Sequence, residues 1–283
     1  MKILVTGANG QLGHEVRQRL GQQRHHDVVA ADLPEFDLAD RDAVLGLVTT
    51  TRPDLILHGG AMTAVDVCET EADQAYRVNS LGTRHIADGA RRVGAHVVYV
   101  STDYVFDGTK AAPYVEWDDP NPQTVYGRSK LGGERELDPG STIVRTSWVC
   151  GYHGANMVKT VLRLVAGAGP LRFVDDQVGH PTFAEDLSSV VIRLGIERRP
   201  GVFHVTNQGP VSWYEFVREI VLAAGGDAGR VEPVSTTELQ PPRPAQRPAN
   251  SVLDNAALRL SGVDLLDDFR VPLARLVRRL QEQ

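Results

Sequence analysis

Short apolar runs without polar alternation recur through the first two thirds of the chain, at residues 3–5, 28–31, 55–57, 97–100 and 143–144. Runs of this length suit strands buried on both faces, as in a parallel sheet. The segments between them carry helical spacing. Leu12, Val16 and Leu20 recur every fourth residue, and Val44, Leu45, Leu47 and Val48 predict a second short helix. A long helix is expected over 72–93, with Ala75, Val78, Leu81, Ile86 and Ala90 turned inward. Strand and helix in repetition give an α/β fold with a Rossmann-type, doubly wound parallel sheet. After Arg145 the pattern loosens: helices are expected at 156–166, 184–195, 213–224 and 271–281, and strands at 171–174 and 202–205. Four prolines within 238–248 exclude a regular helix there and predict a loop. The expected organisation is a nucleotide-binding part over 1–149, to which later segments return. Residues 150–283 are then mainly a smaller C-terminal substrate-binding lobe.

Composition narrows the class. The 283 residues are 42% hydrophobic and 23% charged, which is ordinary for a globular protein. There are 36 acidic against 30 basic residues, a net charge of -6, so no nucleic-acid partner is expected. No apolar run reaches the length of a membrane span, and Cys68 and Cys150 alone imply no disulfide framework. The N-terminus reads as strand and turn rather than as a leader. A soluble cytoplasmic protein with no membrane partner is the expectation.

Gly7, Gly10 and Gly13 follow the first strand directly and open the first helix. Glycines at this spacing allow a tight turn and a close backbone approach to a pyrophosphate, with the helix N-terminus favouring its charge. Asp32 ends the second strand, where a carboxylate can accept from an adenosine ribose and would repel a 2′-phosphate. NAD is favoured by that residue, although Arg24, His25 and His26 nearby soften the preference.

Tyr126 and Lys130 are four residues apart in VYGRSK, so on a helix they share a face. A neighbouring ammonium is expected to lower the phenol pKa and make Tyr126 a usable general acid. Ser101, Thr102 and Asp103 follow the fourth strand, at the end of an α/β sheet where ligands bind. A Thr102 hydroxyl there could polarise the oxygen that Tyr126 protonates. Cys150 reads as a packed thiol, and His204 as a strand residue rather than a ligand. None of the nine histidines stands in a metal-binding spacing. Arg275, Arg278 and Arg279 read as the solvated face of the last helix.

In this order the segments VTGANGQLG, MTAVDVCE, STDYVFDG, VYGRSK, RTSWV, DDQVGHPT and RPANS resemble the dTDP-4-dehydrorhamnose reductase family of extended short-chain dehydrogenases/reductases. The resemblance implies NADH- or NADPH-dependent reduction of a small-molecule nucleotide sugar, dTDP-4-dehydro-L-rhamnose, to dTDP-L-rhamnose for cell-surface polysaccharide biosynthesis. It makes Tyr126 the proton donor, Lys130 its partner and a holder of the nicotinamide ribose, and Thr102 the helper at the carbonyl. Gln11, Leu12 and Asp32 would contact the cofactor with Gly7, Gly10 and Gly13, and Asp37 and Leu38 would flank the adenine. Ala61, Met62, Thr63 and Val100 would continue the cofactor wall, and Asp103 and Trp148 would meet the sugar nucleotide. Some members form homodimers bridged by magnesium on three glutamates, for which the matching positions are Glu15, Glu185 and Glu282. The chain departs at His58, Gly59 and Gly60, where a looser cofactor wall is expected, and at Cys150. Tyr104 stands where related dehydratases carry a second acid, which argues against dehydration. A 4-keto reductase for another dTDP-deoxysugar stays open as an alternative. So does a non-catalytic NAD(P)-binding subunit resembling the regulatory subunit of methionine adenosyltransferase.

Overall fold

The computed structural model describes residues 1–23, 25–167 and 169–282; Arg24, weighed above for cofactor preference, lies outside the described residues. In chain order the first half gives β1 (Lys2–Thr6), α1 (Gln11–Gln22), β2 (Asp27–Ala31), α2 (Arg41–Thr51), β3 (Leu55–His58), α3 (Val65–Thr70) and α4 (Ala72–Tyr76). A π-helical turn (Arg77–Leu81) leads into α5 (Gly82–Val93), followed by β4 (His96–Thr102), α6 (Val125–Arg135) and β5 (Thr142–Thr146). Then come β6 (Val149–Cys150), α7 (Met157–Val165), β7 (Leu171–Val174), β8 (Val178–Gly179), β9 (Thr182–Phe183), α8 (Ala184–Ile196) and β10 (Gly201–His204). The chain ends with β11 (Val211–Ser212), α9 (Trp213–Ala223), β12 (Val231–Val234), α10 (Ala256–Leu260) and α11 (Arg270–Gln281).

Six strands form one parallel sheet in the order β10-β5-β4-β3-β1-β2. Successive side chains of β1 point to opposite faces. Ile3 and Val5 pack with Val16, Leu20, Leu187, Val191 and Leu194 of α1 and α8, while Leu4 packs with Val44, Val48, Ile86 and Ala90 of α2 and α5. Each such side chain, fully buried, contributes about 1.5–3 kcal/mol. The strand order reverses between β1 and β3, and the crevice above that switch is the favoured ligand position of an open α/β sheet. A second core gathers Val158, Val161, Phe216, Ile220, Leu273 and Val277 from α7, α9 and α11. Among the described residues no helix is long and apolar enough to cross a membrane.

The long helix expected over 72–93 is broken. The π-helical turn Arg77–Leu81 adds a residue to one turn and rotates the face that follows. Leu81, expected inside, is therefore 38% exposed, whereas Asn79 and Ser80 are buried in its stead. The last helix also differs. Arg275 lies on its exposed side as expected but pairs with Asp186 (2.8 Å), and Arg279 covers the Tyr152 ring at 3.7 Å.

Helix α6 starts where Thr124 Oγ1 accepts the Gly127 N–H (3.0 Å). Its glycines let it lie close against β4 and the segment after it. A Cβ at Gly127 would collide with Tyr104 O, and one at Gly133 would lie 2.5 Å from Tyr99 Oη.

Candidate functional site

The glycine loop is built by close approach. Gly7 has φ +67°, and a Cβ there would lie 2.7 Å from Gly60 N. A Cβ on Gly13 would collide with Gly7 O, so α1 can press its first turn against the strand end only with glycine there. Gly10 caps α1, whose first N–H groups have no intrahelical acceptor and face the crevice. Asp32 is fixed at the end of β2: Oδ2 accepts from Asn9 N (2.7 Å) and Oδ1 from Leu33 N (2.8 Å). A cavity of about 630 Å3 opens beside it, lined by Ala8, Asn9, Arg17, Asp32, Glu35 and Phe36 among others. A bare glycine cradle, free N–H groups and a ribose-height carboxylate together fit the adenosine and pyrophosphate of a dinucleotide.

The other predicted cofactor residues fall around this crevice in different ways. The Gln11 side chain donates to Val149 O (3.1 Å) and accepts from Asn156 Nδ2 (2.9 Å), tying the loop to the second lobe. Leu12 packs into the sheet core. Asp37 accepts from Ala39 N (2.8 Å), and Leu38 is buried against Gly60 and Gly82. The wall at His58–Gly60 is not loose. A Cβ on Gly60 would lie 2.7 Å from Leu38 Cδ1, so the missing side chain is replaced by Leu38. His58 bonds Thr6 Oγ1 through Nδ1 (2.6 Å) and Thr83 Oγ1 through Nε2 (3.1 Å). Thr83 spends its own proton on Asn79 O (2.7 Å), so His58 Nε2 is the donor and Nδ1 accepts from Thr6. Complete burial holds His58 neutral, with its pKa lowered to about 3.

Asn79 was not read from the sequence, since a residue on a π-helical turn has no spacing signature. Its amide clamps Met62, accepting from Met62 N (2.8 Å) and donating to Met62 O (3.1 Å). Nδ2 also donates to Ser129 Oγ (2.9 Å), and Ser129 in turn donates to Tyr126 O (2.8 Å). The wall from Ala61 to Thr63 is thereby locked to the helix carrying Tyr126 and Lys130.

Tyr126, Lys130, Thr102 and Asp103 converge at the carboxyl end of β4, all buried. Burial pushes the Tyr126 phenol well above its ordinary pKa; a hydrogen bond with Thr102 opposes this and the Asp103 carboxylate adds to it. Lys130 is not among the groups that set this shift. Lys130 Nζ donates to Val100 O (2.7 Å) and lies 4.0 Å from the Tyr99 ring centre. Its own pKa is lowered to about 7 by burial, with Glu134 opposing. Thr102 Oγ1 donates to Asp103 Oδ1 (3.0 Å) and accepts from Tyr104 N (3.2 Å). Asp103 Oδ2 is buried without a partner, and burial raises this carboxyl to about 6 against bonds from Ser251 and Thr102.

The opposite wall comes from the second lobe. Trp148 has φ +43°, a conformation a bulky side chain adopts only where its surroundings enforce it. Its ring stacks on Trp213 (3.6 Å, 11°). Gly179 is kept bare by its neighbours: a Cβ there would lie 2.8 Å from both the Trp148 ring and Ser251 Oγ. Trp213, Gly179 and Ser251 were missed as site residues because each is distant in sequence and unremarkable in its own segment. Arg247 pairs through both Nη atoms with Asp66 of α3 (Nη2–Oδ2 2.7 Å) and holds the proline-rich loop over Tyr104. Behind this pair a recess of about 400 Å3 is lined by Gln177, Thr236, Arg243 and Arg247 among others.

Within one chain the three glutamates expected to hold magnesium do not converge among the described residues. Glu15 lies beside Glu185, and its pKa is raised, first by burial and then by the Glu185 charge, with Arg279 and Arg19 opposing. Arg275 and Arg279 line the same small recess. Glu282 stands exposed past the end of α11, and among the described residues no three His, Cys, Asp or Glu side chains converge to hold a metal. Cys150 is a packed thiol, 2% exposed, its pKa pushed up to about 12 by burial.

Asp103 gives the site a stability signature. Its raised pKa means the folded state holds this proton more tightly than the unfolded chain does. That contribution is complete below the ordinary Asp range and is lost as pH rises through about 6. Asp103→Asn removes the titration, so the variant is expected to gain stability relative to the wild type as pH rises from 4 to 8. Thermal unfolding of both proteins across that range reads this directly, and a difference independent of pH contradicts it.

Residues 1–282 match the family model described as the RmlD substrate binding domain. The dTDP-4-dehydrorhamnose reductase of Aggregatibacter actinomycetemcomitans is 39% identical over 89% of this chain and 90% of its own length. The crystal structure of a dTDP-4-dehydrorhamnose reductase from Clostridium acetobutylicum superposes with a TM-score of 0.94 at 41% identity, covering 99% of this chain and 100% of that one. That of Bacillus anthracis, in complex with NADP, gives 0.93 at 36% identity, covering 100% and 99%.

Proposed function

Since the chain belongs to the RmlD family of dTDP-4-dehydrorhamnose reductases, we propose that Thr102, Tyr126 and Lys130 carry out that family's reaction in the crevice above β1, β3 and β4. The reaction is the NAD(P)H-dependent reduction of dTDP-4-dehydro-L-rhamnose to dTDP-L-rhamnose. The observation that carries the assignment of roles is the convergence of the buried Tyr126 phenol, Thr102 and Lys130 at the end of β4.

The reduced nicotinamide, when bound, supplies the hydride. Gly7, Gly10, Gly13 and the first turn of α1 hold its pyrophosphate, Asp32 its adenosine ribose, and the Ala61–Thr63 wall and Val100 its inner end. Lys130, anchored on Val100 O, holds the nicotinamide ribose. As the sugar C4 carbonyl is reduced, negative charge gathers on its oxygen. Thr102 Oγ1 turns from Asp103 to donate to that oxygen, and Tyr126 Oη delivers its proton there. The raised pKa of Tyr126 suits this direction, because the phenol stays protonated until the stronger alkoxide base appears. Preorganised donors in a buried site supply much of the acceleration. Asp103 and the Trp148 face would hold the sugar, and the recess with Arg243 and Arg247 suits the diphosphate.

In the same reading, residues 1–149 with the returning α8 and β10 bind the cofactor, and the remainder binds the sugar nucleotide. In this reading the protein is cytoplasmic, which rests on its composition, and a homodimer, which rests on the resemblance and is checked by light scattering. Cofactor oxidation followed at 340 nm with dTDP-4-dehydro-L-rhamnose tests the reaction; cofactor binding without turnover would favour the non-catalytic alternative. Asp32→Ala is expected to weaken NADH more than NADPH, since it removes a ribose acceptor and a charge that repels the 2′-phosphate. Equal weakening of both cofactors, measured by titration calorimetry, would remove the ribose role.

A further inference from the structure

The cavity beside Asp32 has a second charged wall that the mechanism does not use. Arg17 stands on α1 one turn beyond Gly13, and its guanidinium bends back over the glycine loop. Nη1 donates to Ala8 O (3.2 Å) and to Asn9 Oδ1 (3.4 Å). Among the described residues no carboxylate pairs with Arg17, and neither Nε nor Nη2 makes a hydrogen bond. Arg17 borders both the Asp32 cavity and an adjoining one of about 450 Å3 lined by His14, Gln18, Val28, Ala30 and His153. The space around it is therefore open on two sides.

Asp32 and Arg17 act on this space with opposite sign. The Asp32 oxygens already accept two backbone N–H groups, which tie the carboxylate to the strand end and blunt its repulsion of an anion. Its remaining lone pairs suit a ribose hydroxyl. Arg17 keeps unused donors in a planar fork, the geometry that binds phosphate oxygens in pairs. A carboxylate alone would select against a phosphorylated ribose. An arginine with free donors across the same cavity offsets that selection.

We infer that Arg17 receives the 2′-phosphate of NADPH and is the residue that admits this cofactor alongside NADH. The inference rests on the NAD(P)H-dependent reading above. Its test needs no turnover: NADPH and NADH are titrated calorimetrically into the wild type, Arg17→Gln and Arg17→Lys. Arg17→Gln is expected to weaken NADPH about 10–100-fold, the loss of a charge-assisted bond, with NADH unchanged. Arg17→Lys keeps the charge and recovers part of the loss. In the wild type, added salt weakens NADPH more than NADH, and in Arg17→Gln that difference disappears. Equal weakening of both cofactors would mean that Arg17 only braces Ala8 and Asn9, and it overturns the inference. So does an unchanged ratio of the two affinities. Both of those results leave the reductase reading standing. Failure of the wild type to bind either cofactor overturns the reductase reading itself and this inference with it.

Discussion

Tyr126→Phe is expected to lower kcat and kcat/KM together by about 10²–10⁴-fold while NAD(P)H binding stays as in the wild type. The phenol oxygen is the only atom lost. The ring keeps its buried place with Cys68 and Ala75, and its edge-to-face contact with Tyr104 (5.5 Å, 73°). Lys130 keeps its bond to Val100 O, so the inner cofactor wall is undisturbed. Removing a group that gives its proton only as the alkoxide forms should reduce both kinetic constants equally rather than raise KM. Steady-state rates with both cofactors, alongside calorimetric cofactor affinities, make the comparison. Turnover within tenfold of the wild type would eliminate Tyr126 as the proton donor.

The second large effect is expected behind the site. Glu134 and Arg145 form a bidentate pair, 3.0 Å at Nε and 2.7 Å at Nη2, with side chains 5% and 4% exposed. Ser101, next to Thr102, donates to the same Glu134 oxygen (2.5 Å). Glu134→Ala leaves the Arg145 charge buried without its counter-charge and should cost about 3–5 kcal/mol of folding stability. The double variant Glu134→Leu, Arg145→Met removes both charges together and is expected to recover most of that loss. Urea unfolding of the three proteins separates these terms. A single variant as stable as the wild type would show that the pair contributes nothing to holding β4, β5 and α6 together.

Two kinds of residue explain what was legible in the sequence. The glycine loop, Asp32 and the Tyr126–Lys130 pair are local patterns, and local spacing fixes which groups share a turn or a helix face. The sheet was legible for the same reason, because short unbroken apolar runs have few other uses. Asn79 was not, because a π-helical turn leaves no periodic trace and its partners Met62 and Ser129 lie on other elements. The sign of the Tyr126 shift was hidden as well. Spacing put an ammonium on the same helix face, but burial, which depends on the whole fold, is the largest cause of the shift. Glu282 shows the opposite limit: its position at the chain end could be matched by resemblance, yet in the fold it stands exposed past the end of α11, away from Glu15 and Glu185.

The return of the chain to its first sheet has a consequence for how the protein is made. β10 lines the free edge of β5, and α8 covers one face of β3 and β4 through Leu187, Val191 and Leu194. Until residue 204 has been synthesised, the nascent chain presents an unpaired strand edge and a bare apolar face, the two features that drive misassociation of unfinished polypeptides. A ribosome pausing between residues 149 and 204 would therefore hold the protein at its most vulnerable length, and a fragment cut at 149 should be rescued from aggregation only by a partner that caps both surfaces.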